Sequence, residues 1–305
     1  MGLLEAIILS VLAASTPLLI AATGELVTER SGVLNLGVEG MMIMGAACGF
    51  GGALATGSIT FGAICGIAAG TALSLIFAMM TLGLAVNQVA TGLALTILGI
   101  GLSGLIGAGF VGQRITPAPH LLVPGLTEIP FVGRILFGED AFVYLSLLLV
   151  IGVWLFLYRT RAGLVLRAAG DNHTSAHALG YPVLRIRLYA VMFGGACAGL
   201  AGAYLPLAYT PFFIPGMTAG RGWIALALVV FSSWRPGRLV TGAYLFGAVT
   251  ILQLHAQGLG LGIPSQFMSA LPYLATVIVL VLISRARTGG STAPAALGTV
   301  FVPDR

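Results

Sequence analysis

Long apolar runs separated by short polar breaks repeat along the whole chain. Most runs are roughly 18–24 residues, enough to cross a hydrocarbon core of about 30 Å as an α-helix. The pattern predicts membrane segments over 3–22, 34–57, 59–83, 89–111, 141–158, 187–209, 222–234, 238–256 and 267–284. A β-barrel would need segments of about ten residues alternating apolar and polar, and that alternation is absent. The fold class is therefore all-α: a polytopic transmembrane helical bundle of eight to nine segments. Segment 222–234 is unusual, because its 13 residues make only about 20 Å of helix. It either gains length from the preceding "PFFIPGMTAGRG" or re-enters the membrane packed inside the protein.

Composition narrows the class further. The 305 residues are 58% hydrophobic and 8% charged, which leaves no polar shell for a soluble domain. No polar stretch is long enough to fold alone as a catalytic domain. The first run, "LLEAIILSVLAASTPLLIAA", contains Glu5, lacks a basic flank and has no clear cleavage site, so it reads as a retained helix. The expected organisation is one transmembrane domain over 1–287, interrupted by a polar loop at 160–186. A Gly/Ser/Thr/Ala/Pro-rich tail follows over 288–305 and is expected to be flexible.

All 14 basic residues are arginine, and their distribution predicts topology rather than nucleic-acid binding. The loop 159–187 holds Arg159, Arg161, Arg167, Arg185 and Arg187 against Asp171 alone. It is therefore assigned to the cytoplasm. Counting outward, Arg30, Arg235, Arg238, Arg285 and Arg287 also face inward. Arg114, Arg134 and Arg221 face outward, as do Glu128, Glu139, Asp140 and the N-terminus. Ten arginines in and three out, Arg305 aside, give one consistent arrangement. Cys48, Cys65 and Cys197 are isolated and have no metal or redox spacing. Glycines four apart (Gly62, Gly66 and Gly70; Gly195 and Gly199) predict close helix contacts.

The loop "RTRAGLVLRAAGDNHTSAHALGYPVLRIR" carries the clearest candidate chemistry. Asp171 or Asn172 can cap a short helix over roughly 172–179, and Gly180 with Pro182 stops it. Its residues are small (Thr174, Ser175, Ala176, Ala178), with Leu179 the larger apolar one. Two turns cannot bury a core of their own, so a groove on another protein suits them better than a lipid surface. Arg167 and Arg185 flank the helix and can pair with acids on a partner. His173 and His177 stand i, i+4, but no third ligand is near, so they are read as docking or solvated side chains rather than a metal site.

This loop resembles the coupling segment of permease subunits from bacterial ABC importers. It reads "G-D-N-x-x-x-A-x-x-L-G" and is followed by "GGACAGLAGAY". The branch it resembles serves branched-chain amino acids, simple sugars and nucleosides. The stretches "ERSGVLNLGVEGMMIMGA" and "NQVATGLALTILGIGLSG" are similar to its nucleoside-type permeases. His173 and His177 depart from the commoner pattern, which leaves the choice of ATPase open. The resemblance implies a pore-forming subunit in the cell membrane with no cofactor of its own. Its partners would be an ATP-binding cassette ATPase, a second permease subunit (a copy or a homologue) and an extracytoplasmic substrate-binding lipoprotein. With no lysine, the chain cannot hold a G-x-x-x-x-G-K phosphate loop. The ATPase would grip residues 171–180. Arg167, Asp171, Asn172, His173, Thr174, Ala176, His177, Leu179 and Gly180 are the coupling candidates.

Polar residues inside the spans are the candidates for the route of a small polar solute. Glu25, Glu29 and Arg30 are placed at the inner surface, whereas Glu39 falls about a turn inside the membrane. There an ionised side chain costs about 2.5–3.5 kcal/mol unless paired or facing water. Asn35 and Glu39 are expected to share a helix face, as are Asn87 and Thr91, with Gln88 beside them. For Asn35, Asn87, Gln88 and Thr91 the plainer reading is a helix tie or cap, whereas Glu39 reads either way, because a carboxylate inside the membrane needs a stronger reason. The segment "YTPFFIPGMTAGRGW" reads as an interfacial aromatic belt or as a gate or receptor contact, and Trp234 as an interfacial anchor. The competing reading is an ion-coupled secondary transporter using Glu39. An intramembrane enzyme lacks the metal-binding or paired-acid clusters it would need.

Overall fold

The computed structural model describes residues 2–122, 127, 132–258, 267, 270–271, 274, 277–278, 281 and 293–303. Among these, the α-helices are α1 (Leu3–Arg30), α2 (Val38–Thr56), α3 (Ile59–Ala78), α4 (Gln88–Gly107), α5 (Val132–Phe137), α6 (Ala141–Arg159), α7 (Arg161–Asp171), α8 (His173–Ala178), α9 (Val183–Tyr204), α10 (Arg221–Phe231) and α11 (Pro236–Gly258). α3 and α9 each continue through one wide π turn, Met79–Gly83 and Leu205–Tyr209. Seven helices among the described residues are long and apolar enough to cross a membrane. The expected span 267–284, with Arg285 and Arg287, lies largely outside the described residues, as does Glu128.

The polar breaks start the helices that follow them by side-chain capping. Ser58, Asn87, Asp140 and Thr160 each accept a hydrogen bond from a backbone N–H in the first turn of the helix that follows. α10 has only 11 residues. The segment before it is not helical, so it gains no length there, and most of its apolar residues are buried as it packs on α1 and α2, Trp223 and Val230 remaining exposed.

α2 is buried on nearly every side, enclosed by α3, α4, α9 and α10. α1 packs on α9, α10, α11 and α6. α3, α4 and α6 keep broad apolar faces exposed, with Ile97 and Leu105 at 73% and 76%, as lipid-facing helices do. Glycines make the inner contacts. A Cβ on Gly40 would stand 2.6 Å from the Leu95 carbonyl oxygen. Gly66, Gly70, Gly195 and Gly199 press α3 and α9 together, so the glycine spacing does mark a close helix pair.

Candidate functional site

The 218–222 turn that enters α10 is held by one carboxylate of α2. Glu39 is 5% exposed. Its Oε1 accepts from Thr218 Oγ1 at 2.6 Å and from Gly220 N at 2.9 Å, and its Oε2 accepts from Gly222 N at 2.6 Å. The carboxylate thus meets the free N–H groups and positive dipole end of α10. Gly222 is required for this approach, because a Cβ there would stand 2.5 Å from the Glu39 Cα.

The other path candidates gather around the turn 31–37. α2 starts at Val38, so Asn35 lies in that turn and shares no helix face with Glu39. Instead Asn35 Oδ1 accepts from Gly37 N at 2.9 Å, and the Asn35 N–H donates to Glu25 Oε1 at 3.3 Å. Gln88 Oε1 accepts from Leu34 N at 2.8 Å. Gln88 Nε2 and Glu25 Oε2 are buried with no partner among the described residues. Asn87 caps α4 through Ala90 N at 3.0 Å, and Thr91 Oγ1 donates to the Asn87 carbonyl at 2.8 Å.

Two expectations at the arginine-rich end are corrected. Glu25 and Glu29 are each 1% exposed rather than solvated, because α1 runs on to Arg30 and carries Glu29 against Trp234 and Glu25 against the 31–37 turn. Trp234 is 5% exposed and is not an interfacial anchor. Its Nε1 donates to Glu29 Oε2 at 2.6 Å, and its carbonyl accepts from Arg30 Nε and Nη2 at 3.1 and 2.8 Å. The i, i+4 spacing of Glu25 and Glu29 puts two acids on one face of α1. It was the sequence signal that both needed buried partners.

α8 stands at the same end. Asn172, not Asp171, is its cap, accepting from Ser175 N at 2.9 Å and Thr174 Oγ1 at 2.7 Å. Asp171 is the exposed last residue of α7. Gly180, at φ +86°, closes the other end: its N–H reaches the His177 carbonyl, and the Tyr181 N–H reaches that of Ala176. Ala176 is buried, whereas Thr174, His177 and Leu179 are exposed, Leu179 at 77%. Arg167 lies over the Tyr158 ring at 5.0 Å. It lines a cavity of about 810 Å3 with Arg30, Arg235, Arg238 and Asp171. A second cavity, about 770 Å3, is an apolar groove between α6, α7 and α9. None of Asn35, Glu39, Asn87, Gln88 and Thr91 lines either one.

Residues 293–303, part of the tail expected to be flexible, are seated beside α8. Phe301 is 8% exposed and clusters with Ala169, Ala176 and Val183. In the sequence Arg187 reads only as one more loop arginine, and nothing local marks the strap or the buried ties it makes.

At the opposite end, Asp140 caps α6 through Phe142 N and Val143 N at 2.8 and 3.1 Å. Burial, and then the neighbouring Asp140, push Glu139 up to about 7. Phe213 is buried against Phe50 and Phe110, and Tyr209 faces Arg221. The predicted aromatic belt is thus partly core.

A bundle of spanning helices with one short, mostly buried helix and one exposed short helix at an arginine-rich end defines a multi-pass membrane protein. The chain belongs to the family described as branched-chain amino acid transport system / permease component, whose profile matches residues 7–288. It is 45% identical to TsgC13 of Haloferax volcanii, named a candidate glucose ABC transporter permease protein, over 88% of each chain. It is 31% identical to the guanosine ABC transporter permease protein NupQ of Bacillus subtilis, over 98% of this chain and 97% of that one. Identity is also 31% to the nucleoside ABC transporter permease protein NupC of Lactococcus lactis, over 99% and 98%.

Proposed function

We propose that this chain forms the translocation path of an ATP-binding cassette importer for a nucleoside or sugar, driven by a separate ATPase that docks on residues 171–180. The observation that carries the coupling reading is α8 itself. It is capped at both ends by its own residues and seated through Ala176, and it leaves Leu179 open. A large exposed leucine on a polar two-turn helix fits a groove on a partner. The arginines of the 810 Å3 cavity offer positive charge beside it for acids on that partner.

In this reading α8 and the tail face the cytoplasm, and a lipoprotein receptor delivers solute at the other end. A second permease subunit completes the path. Asn35, Glu39, Asn87, Gln88 and Thr91 are its polar candidates. Gln88 is favoured, because its buried Nε2, without a partner among the described residues, is a donor suited to a ribose or pyranose hydroxyl. Ion coupling through Glu39 is not favoured, since both oxygens already take donors from this chain.

The test is affinity capture of the tagged chain co-expressed with its neighbouring genes, followed by reconstitution with labelled guanosine and labelled glucose as probes. The expected result is a retained ATPase and uptake that requires ATP. Uptake by the chain alone, driven by an ion gradient, overturns the proposal.

A further inference from the structure

We infer that residues 293–303 and Arg187 form a clamp that carries movement of α8 to the turn between α1 and α2. This rests on the reading of α8 as the ATPase contact. The Phe301 ring packs against both His173 and His177, at 5.1 and 5.4 Å between ring centroids. The i, i+4 spacing turns the two imidazoles to one side of the helix. The next residues back bind elsewhere: the Gly298 N–H donates to the Gly32 carbonyl at 3.1 Å, and the Ala296 N–H donates to that of Gly170 at 3.0 Å.

Arg187 ties the same three parts from beneath. It is fully buried. Its Nε donates to the Ser31 carbonyl at 3.2 Å and its Nη1 to the Thr299 carbonyl at 3.1 Å, while Nη2 lies 3.4 Å from His173 Nδ1. Burial, and then Arg187, lower the His173 pKa, which suits an unprotonated Nδ1 as acceptor. Gly32, at φ +91°, holds a backbone conformation that strains any side chain, and a Cβ there would stand 2.7 Å from Arg187 Nη2 and push the guanidinium aside.

α8 buries only Ala176, against Ala169 of α7 and Val183 of α9, a contact that includes no residue of the 31–37 turn. The strap supplies one that does. The route runs from the two histidines through Phe301, Thr299 and Gly298 to Ser31 and Gly32. That turn holds Leu34 and Asn35 against Gln88 and Glu25 and leads directly into α2. Phe301 and Arg187 are therefore positioning residues for coupling, not docking contacts.

The test uses the full transporter with its ATPase, in a chain whose three native cysteines are replaced by alanine and Leu34 by cysteine. Maleimide labelling of that cysteine is timed before and after vanadate trapping of the ATPase. With the strap intact, trapping changes the labelling rate by at least about fivefold, the low end of ordinary coupling. Phe301→Ala retains the ATPase and its basal hydrolysis but loses the change, and Phe301→Tyr restores it. Should Phe301→Ala fail to assemble, Phe301→Leu keeps the apolar volume without the ring and gives the same result. An undiminished change in these variants overturns the inference, as does no change in any chain or loss of the ATPase from the variant complex. Failure of the docking reading shows separately, as an ATPase missing from the unmutated complex.

Discussion

Replacing Glu39 by glutamine keeps the size of the side chain and removes one of its two acceptors. With the amide oxygen placed on the side of Thr218 and Gly220, the new NH2 group faces the Gly222 N–H, which the carboxylate met at 2.6 Å. A hydrogen bond to a charged group contributes about 1.5–3 kcal/mol. The lost charge at the start of α10 adds about 0.3–1 kcal/mol. The sum is about 3 kcal/mol, and at 1.4 kcal/mol per factor of ten the local opening constant rises about a hundredfold. Hydrogen exchange reads this directly at the Gly220 and Gly222 amides, because opening of a local unit sets their protection. The expected result is roughly hundredfold faster exchange at these amides, with amides in α6 unchanged. Protection within about threefold of the unmutated chain, below 1 kcal/mol, would refute the claim that Glu39 holds α10.

Leu179→Asp should abolish recovery of the ATPase while leaving the chain in the membrane, read by affinity capture from solubilised membranes. Trp234→Phe removes the donor to Glu29, leaves that buried oxygen unsatisfied and should lower stability by about 1–3 kcal/mol, seen as earlier thermal unfolding in detergent. Gly40→Val forces atoms onto the α4 backbone at Leu95 and Thr96 and should cost about 1–3 kcal/mol, checked the same way. Glu139 has a folded-state pKa raised from 4.5 to about 7. Its contribution to stability is fully present below pH 4.5 and is lost as pH rises toward 7. Relative to Glu139→Gln, the unmutated chain should therefore lose melting temperature between pH 5 and 7, and parallel curves would count against the buried acid.

Several local features were legible because their causes are local. Asn87 and Asn172 cap the helices that follow them, since a side chain reaching its own next turn needs nothing from the rest of the protein. Gly180 ends α8 for the same reason. Asn35 shows the limit: the i, i+4 argument with Glu39 assumed a helix that starts only at Val38.

Apolar run length by itself determined an all-helical membrane protein, and its motifs pointed to a permease. The burial of Glu25, Glu29 and Trp234, the latch of Glu39 on α10, and the seating of Phe301 between two histidines were decided only by the tertiary structure. Each joins residues more than a hundred positions apart or places one chain segment over another. A polar residue in an apolar sequence states that a partner is needed. Which group supplies it depends on how the helices pack.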